Sequence, residues 1–438
     1  MTPAANIGPL VRLWGISASQ LPSPTASSDD LAPFLVSILQ EALPFIDSAA
    51  PRRSRCDDPS SAAAAATTAA ATKNPWKPKG VKTSPADSAA PVEVSERVVG
   101  AGELETVVAR ALLNDETRKK TQSRLGNEVW ACRRSTHADA AQKGTASWAE
   151  FVRCFRDEHA AAEDGFTPDV VATCEAISWD CGGVGPVDIA EEEDEEEDNV
   201  NSARQRWGRF TLKVVEMRHK VGRPVLKDRT FPVLQLTATV VPVAGEAGGE
   251  PREFVVVSIP VPDFGTKEAS RLAREKGAQI AAYVSVERIR VLDARDQQGQ
   301  NQGQNRTGKA GEIEWLMATA SDAGGVLPSW VQNMAMPGII WKDVPLFLKW
   351  IAGERLRKDA AMVGPRGGTE ATENTTATST GKSAIGEGGG VSAPKAAAAS
   401  EEVADDTDVT NKIAAAFDAA RETEAADFDA RTGAVDLK

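Results

Sequence analysis

Much that would fix a function outright is missing from this chain. No stretch reaches about 18 consecutive apolar residues, so no membrane-spanning helix is expected. The first residues lack a charged region leading into an apolar one, so no secretion signal is expected either. The five cysteines, Cys56, Cys132, Cys154, Cys174 and Cys181, are odd in number and form no C-x-x-C pair. They read as small buried hydrophobes in a reducing compartment rather than as a disulfide framework. The three histidines, His137, His159 and His219, are scattered, and no Cys/His spacing suits zinc. No paired nucleophile or acid marks them as catalytic, so each reads as a helix-end or loop histidine. A basic excess is also absent. The net charge is −13, and the run Glu191–Asp198 alone supplies eight of the negative charges. That balance argues against general nucleic-acid binding, which needs a basic face to neutralise phosphates. The expectation is a cytoplasmic protein with neither metal nor cofactor.

Two phosphate-like motifs also fail. Gly381-Lys382-Ser383 looks like the end of a P-loop, but Thr376 stands where the first glycine belongs and no strand precedes it. The stretch from Gly182 to Pro186 lacks the third glycine of a dinucleotide fingerprint.

What is present is a long chain, 438 residues with 41% hydrophobic content, enough for one large domain or two small ones. Its most informative run is Gly311 to Ile351. Ile313, Trp315, Met317 and Thr319 alternate with Glu314, Leu316, Ala318 and Ala320, the period of a two-faced strand. After Gly324-Gly325, the residues Leu327, Val331, Met334, Trp341, Val344, Leu348 and Ile351 keep helical spacing. Pro337-Gly338 and Pro345 should bend that helix. A helix this apolar implies a sheet for it to cover.

Other elements precede it. Leu31 to Ile46 reads as an amphipathic helix with Ser27, Ser28 and Asp29 available as caps. Residues 51 to 91 are rich in Ala, Thr, Ser and Pro and read as a linker, followed by a short helix at Glu103 to Leu113. The folded body is expected from about Asn127, with a strand at Glu128 to Ser135 and a helix at Ser147 to Ala161. A second helix is expected over Thr167 to Trp179, where Thr-Pro suits an N-cap and first position. Four strands follow at Arg209 to Met217, Arg229 to Val241, Glu253 to Val261 and Ala282 to Leu292. A polar helical insert, Lys267 to Lys276, separates the last two. Strand, helices, antiparallel strands and a final helix make an α+β order.

These pieces carry a resemblance. W-A-C-R-R-S-T-H at Trp130 to His137, S-W-A-E-F at Ser147 to Phe151, M-R-H at Met217 to His219 and R-T-F-P-V-L at Arg229 to Leu234 come in one order. V-S-I-P-V at Val257 to Val261, Y-V-S-V-E-R-I-R at Tyr283 to Arg290 and most of Glu312 to Trp350 continue it. The set resembles the START-like (helix-grip, StAR-related lipid-transfer) superfamily, and within it the fungal family DUF3074. The resemblance implies a curved antiparallel sheet wrapped around a long C-terminal helix, with an apolar tunnel between them for a lipid or other hydrophobic molecule. The implied layout is an N-terminal helical segment over 1–50, a low-complexity linker over 51–126 and the START-like domain over 127–357. An acidic loop at 189–199 and a flexible loop at 296–308 interrupt that domain. A disordered acidic tail over 358–438 carries a helix near 411–427. Some sterol-binding relatives place a buried arginine in the strand resembling Arg229 to Val241; this chain has Gln235 there, which weakens a sterol reading.

The implied function is non-enzymatic binding, with transfer between membranes and transient membrane contact as its extension. The candidate tunnel residues are Phe210, Leu212, Val214, Glu216, Phe231, Val256, Tyr283, Trp315, Met317, Trp330, Met334 and Trp341. The bland alternative is that the large apolar ones fill a core. Glu216 could meet a ligand hydroxyl, or simply lie in water or pair with Arg218 or Arg229. Glu287 and Arg288 are adjacent in a strand, so at most one points inward. Two other functions stay open. Helix-grip cyclases or hydrolases use inward polar groups, here Glu216, Glu287 or Tyr283. A scaffold would instead use the acidic loop to dock a basic partner.

Overall fold

The computed structural model describes residues 7–50, 74–110, 125–189, 205–220, 227–242, 252–292, 311–324 and 329–362. The acidic run, the 296–308 loop and the tail helix lie outside them.

Helix α1, Ser28–Asp47, begins with a reciprocal cap. The Ser27 hydroxyl accepts from the Asp30 amide, and the Asp30 carboxylate accepts from the Ser27 amide. Each satisfies a donor that the first helical turn would leave unpaired. Leu31, Leu35, Ile38, Leu39, Ala42 and Ile46 fall on one side at helical spacing and are all buried.

The strands are β1 (Lys77–Lys82), β2 (Val92–Val99), β3 (Glu128–Ala138), β4 (Val170–Trp179), β5 (Val187–Ile189) and β6 (Gln205–His219). They continue with β7 (Arg229–Val240), β8 (Glu253–Pro260), β9 (Gln279–Ile280), β10 (Ala282–Leu292) and β11 (Glu312–Asp322). All join one open, curved sheet in the order β1-β2-β3-β11-β10-β8-β7-β6-β4, with β5 beside β6 and β9 beside β7. Every pairing is antiparallel except β7 with β9. Helix α2 is Ala101–Arg110. The chain between β3 and β4 forms α3 (Trp148–Phe151), a π-helical turn (Val152–Asp157) and α4 (His159–Phe166). The final run gives α5 (Ser329–Ile339), a 3-10 turn (Ile340–Lys342) and α6 (Asp343–Met362).

The two faces of the sheet have different covers. On one, α1 and the N-terminal segment pack with residues from β3, β6, β7, β8, β10 and β11 in a single apolar cluster. On the other, α6 inserts Val344, Phe347, Leu348 and Ile351 among Phe151, Phe155, Phe166, Phe254 and Trp315. That is the helix-grip arrangement the resemblance implies.

Four expectations change. Thr167 to Trp179 is not a helix: Thr167 ends α4, and Val170–Trp179 pairs with β6 as an edge strand. Its β-branched Val170, Val171, Thr173 and Ile177 suit a pleated surface. The supposed linker contributes β1 and β2, which extend the sheet beyond β3, so the folded body does not begin at Asn127. Lys267 to Lys276 forms turns rather than a helix. The last apolar helix is two helices, broken just after Pro337-Gly338, while Pro345 lies in the first turn of α6 where a missing amide costs little.

Candidate functional site

Strand register fixes what each face presents. On the α6 face, one row runs Arg133, Met317, Glu287, Val256, Thr237, Thr211 across six strands. The next row on that face runs Ala131, Thr319, Ser285, Ser258, Gln235, Lys213. It is polar from β11 to β6. The α1-face row between these two is Cys132, Ala318, Val286, Val257, Leu236, Leu212, which is apolar throughout.

The polar groups of the α6 face are connected. The Arg133 guanidinium lies 4.0 Å over the Trp315 ring, with Nη2 3.2 Å from Glu287 Oε1 and Nε 3.6 Å from Asp343 Oδ2. Glu287 Oε1 also accepts from Trp315 Nε1 at 2.6 Å. Further along, the Gln235 amide nitrogen is 3.2 Å from His159 Nδ1. An amide NH2 can only donate, so Nδ1 accepts and the proton sits on Nε2. That nitrogen lies 3.9 Å from Glu163 Oε2. Burial holds the His159 imidazole below its usual range, so it is neutral at physiological pH.

The carboxyls respond to one another. Burial, with Asp343 and Glu287 nearby, pushes Glu163 up to about 8. Burial also raises Asp343 to about 6, with Arg133 acting against it and Glu287 with it. Tyr283 is raised well above its usual range, first by burial and then by Glu163. It bonds Ser258 and packs edge-on against Phe231 at 5.6 Å. No group of three or more His, Cys, Asp or Glu side chains suited to a metal ion occurs among the described residues.

The predicted residues divide between the faces. Trp315, Val256, Met317, Phe231 and Tyr283 lie on the α6 face, with Trp315 in the aromatic cluster and Met317 and Trp341 at the margin of a smaller one. Phe210, Leu212 and Val214 point the other way, into the α1 cluster. A bulge explains part of this. The register shifts between Gly208 and Thr211, and Arg209 takes a positive φ of 51°. The extra residue puts Trp207 and Phe210 on the same side although they are three apart.

Glu216 is also away from α6. Its carboxylate accepts from the Ser270 hydroxyl at 2.6 Å and from the amides of Arg271, Leu272 and Ala273 at 2.7, 2.8 and 3.0 Å. It anchors the Lys267–Lys276 turns and pairs with neither Arg218 nor Arg229. Those arginines bond Glu275, Thr230 and Leu272, and Ala323 and Lys227, respectively. Arg288 faces α1, pairing with Asp47 and Glu314, while Glu287 faces α6. Met334 is 52% exposed on α5; Trp330 is in the same helix, with its side chain outside the described set.

Arg133, Glu163 and Asp343 were not singled out in the sequence, and His159 reads there only as a helix-end or loop histidine. Arg133 could have been found: Ala131, Arg133, Ser135 and His137 alternate with Trp130, Cys132 and Arg134, which marks a polar inner face on β3. Its partner Glu287 is 154 positions away, and nothing local announces that pairing.

No curated protein matches. Among solved structures, human STARD10 is similar at 14% identity and a TM-score of 0.34, over 72% of this chain and 88% of that one. Human StAR-related lipid transfer protein 5 is similar at 11% identity and a TM-score of 0.31, over 67% of this chain and 94% of that one. The family described as "Protein of unknown function (DUF3074)" matches residues 130–351. The chain belongs to the DUF3074 family.

Proposed function

We propose that this protein binds a hydrophobic small molecule, a lipid, between the α6 face of the sheet and helices α5 and α6, without transforming it. One observation carries the reading. The apolar side chains of the α1 face form one continuous cluster, whereas those of the α6 face fall into three separate ones. The polar rows run between the aromatic cluster and the one around Met217 and Val233, and the third, around Val94 and Ile340, caps their β3 end, taking in Ala131 and Met317. Side chains on this face keep accessible surface: Tyr283, Met317, Phe231, Glu163 and Asp343 are only partly buried. Proteins close-pack their interiors, so a core divided in this way fits a binding space better than a filled one. Transfer of an apolar chain into it would gain about 25 cal/mol per Å² of apolar area buried.

Access through α5 suits the contacts better than movement of all of α6. Arg355 of α6 bonds both oxygens of Glu150 and the carbonyls of Gln142 and Thr145. The α6 aromatics are locked in the cluster around Phe347. Helix α5 leaves Met334 and Ile339 exposed at 52% and 47%, an apolar surface suited to transient contact with a bilayer. Carriage of the ligand between membranes is the extension of this reading.

The test is mass spectrometry of organic extracts from natively purified full-length protein, with uptake from liposomes as its second arm. Recovery of a stoichiometric hydrophobic molecule is expected. Protein that stays empty in both arms overturns the reading.

A second reading is favoured by one arrangement, the neutral His159 held by Gln235 and set 3.9 Å from a Glu163 that stays protonated near pH 7. The imidazole, once its Nδ1 lone pair exchanges Gln235 for a substrate group, could take a proton while Glu163 supplies one. Chemical change of the extracted molecule on incubation with fresh protein would select this reading.

A further inference from the structure

We propose that the polar end of the bound molecule is a hydrogen-bond donor without negative charge, an alcohol or an amine, seated against Asp343 and Glu163. The proposal rests on the binding reading above and concerns the same space. Its basis is what each charged group leaves available.

Three carboxyls meet here from three elements, Glu163 from α4, Glu287 from β10 and Asp343 from the start of α6. Arg133 from β3 is the cation that contacts Glu287 and Asp343. Its side chain is 2% exposed, pressed over Trp315 and committed to Glu287 and Asp343. Its Nε, 3.6 Å from Asp343, and its Nη1 have no hydrogen-bond partner but are closed off by packing. Arg133 therefore has no open side with which to meet a phosphate or carboxylate. The other groups facing the cluster, His159, Tyr283, Gln235 and Ser258, bring no positive charge: the histidine is neutral and the phenol is bonded to Ser258.

The accessible polar surface belongs to the acids. Asp343 and Glu163 keep 34% and 22% of their side-chain surface, against 4% for Glu287. A molecule entering the space meets oxygen acceptors first. A hydroxyl or ammonium can donate to them, whereas an anion adds like charge beside Asp343 and Glu287, Glu163 keeping its proton near neutral pH. The site shows the same preference toward its own groups. Glu163 keeps its proton up to about 8 because of burial and the neighbouring Asp343 and Glu287.

The test uses three probes with one chain length: hexadecanol, hexadecylamine, and hexadecyl phosphate, which cannot shed its charge near neutral pH. Each is offered to the full-length protein from neutral phosphatidylcholine vesicles at one pH, and the protein-bound share is measured. Hexadecanol or hexadecylamine should be retained about tenfold or more over hexadecyl phosphate, a difference of about 1.4 kcal/mol. The double variant Asp343→Asn, Glu163→Gln should narrow that ratio by raising retention of the phosphate, with thermal melting checking that it folds. Equal or greater retention of hexadecyl phosphate by the unaltered protein overturns the proposal and leaves the binding reading standing. Retention of none of the three overturns both.

Discussion

The row Cys132, Ala318, Val286, Val257, Leu236, Leu212 and the row Ala131, Thr319, Ser285, Ser258, Gln235, Lys213 lie one residue apart on the same strands. They face opposite sides of the sheet. The first is sealed beneath α1 without a polar atom in its side chains beyond the Cys132 thiol, which burial pushes up to about 12. The second has a hydroxyl or amide on most strands. A sheet needs only one continuous apolar layer to be stable, and α1 supplies it. The other face is then free to hold groups that weaken a core, and such groups are retained where they meet something. We read the α1 face as the foundation and the α6 face as the working surface.

The comparison can be broken most severely by removing α1. The family match covers 130–351, yet α1, β1 and β2 all pack outside that range. A fragment limited to 130–351 exposes the whole α1 face and is expected not to fold. Near-UV circular dichroism or NMR dispersion reads this directly; a cooperative melt from that fragment would contradict the division of labour.

Truncations on the two faces sharpen it next. Leu212→Ala should cost about 2–5 kcal/mol, the range for a sealed core position. Met317→Ala should cost clearly less, because part of its surface is already accessible, while altering ligand retention. Denaturant titration of both variants checks this, and equal costs would mean that both faces are filled.

Glu216→Gln addresses a residue assigned to the foundation. It puts an NH2 among four donors and should cost about 3 kcal/mol, as for hydrogen bonds to a charged group. Faster hydrogen exchange should be confined to 264–276 and ligand retention should not change. A loss of binding without loss of local protection would return Glu216 to the site.

A pH dependence tests the α6-face cluster. Glu163 is held at about 8 in the fold, above its ordinary value of about 4.3. Its contribution to stability is full below that ordinary value and is lost as pH rises through 8. Glu163→Gln mimics the protonated form. It should melt like the parent at about pH 4.5 and progressively higher than the parent toward pH 9. Parallel melting curves across that range would remove the desolvated cluster from the account.

Much of the fold was legible. Ser27 as a cap, the stripe on α1, the alternation in β11 and the turn-bounded apolar runs of β7, β8 and β10 are local patterns, and each formed what it predicted. Strand β4 misled because bulges at Val170/Ala172 and Glu175/Ile177 break its period of two. Val170, Thr173, Cys174 and Ile177 then mimic a helical face. The Lys267–Lys276 segment gets its shape from a carboxylate more than 50 positions earlier, so its own composition could not reveal it. The site was legible in part. Alternation separated Glu287 from Arg288, but which face of β6 meets α6 depends on a bulge and on where α1 docks. Phe210, Leu212 and Val214 were therefore placed on the wrong side.

We propose above that the α6 face holds a hydrophobic molecule. The most direct measurement is native mass spectrometry of the full-length protein from its own cells, followed by denaturation and analysis of what is released. The account predicts an adduct of one hydrophobic molecule per chain that unfolding sets free. A single apoprotein mass, unchanged after incubation with liposomes, would contradict it.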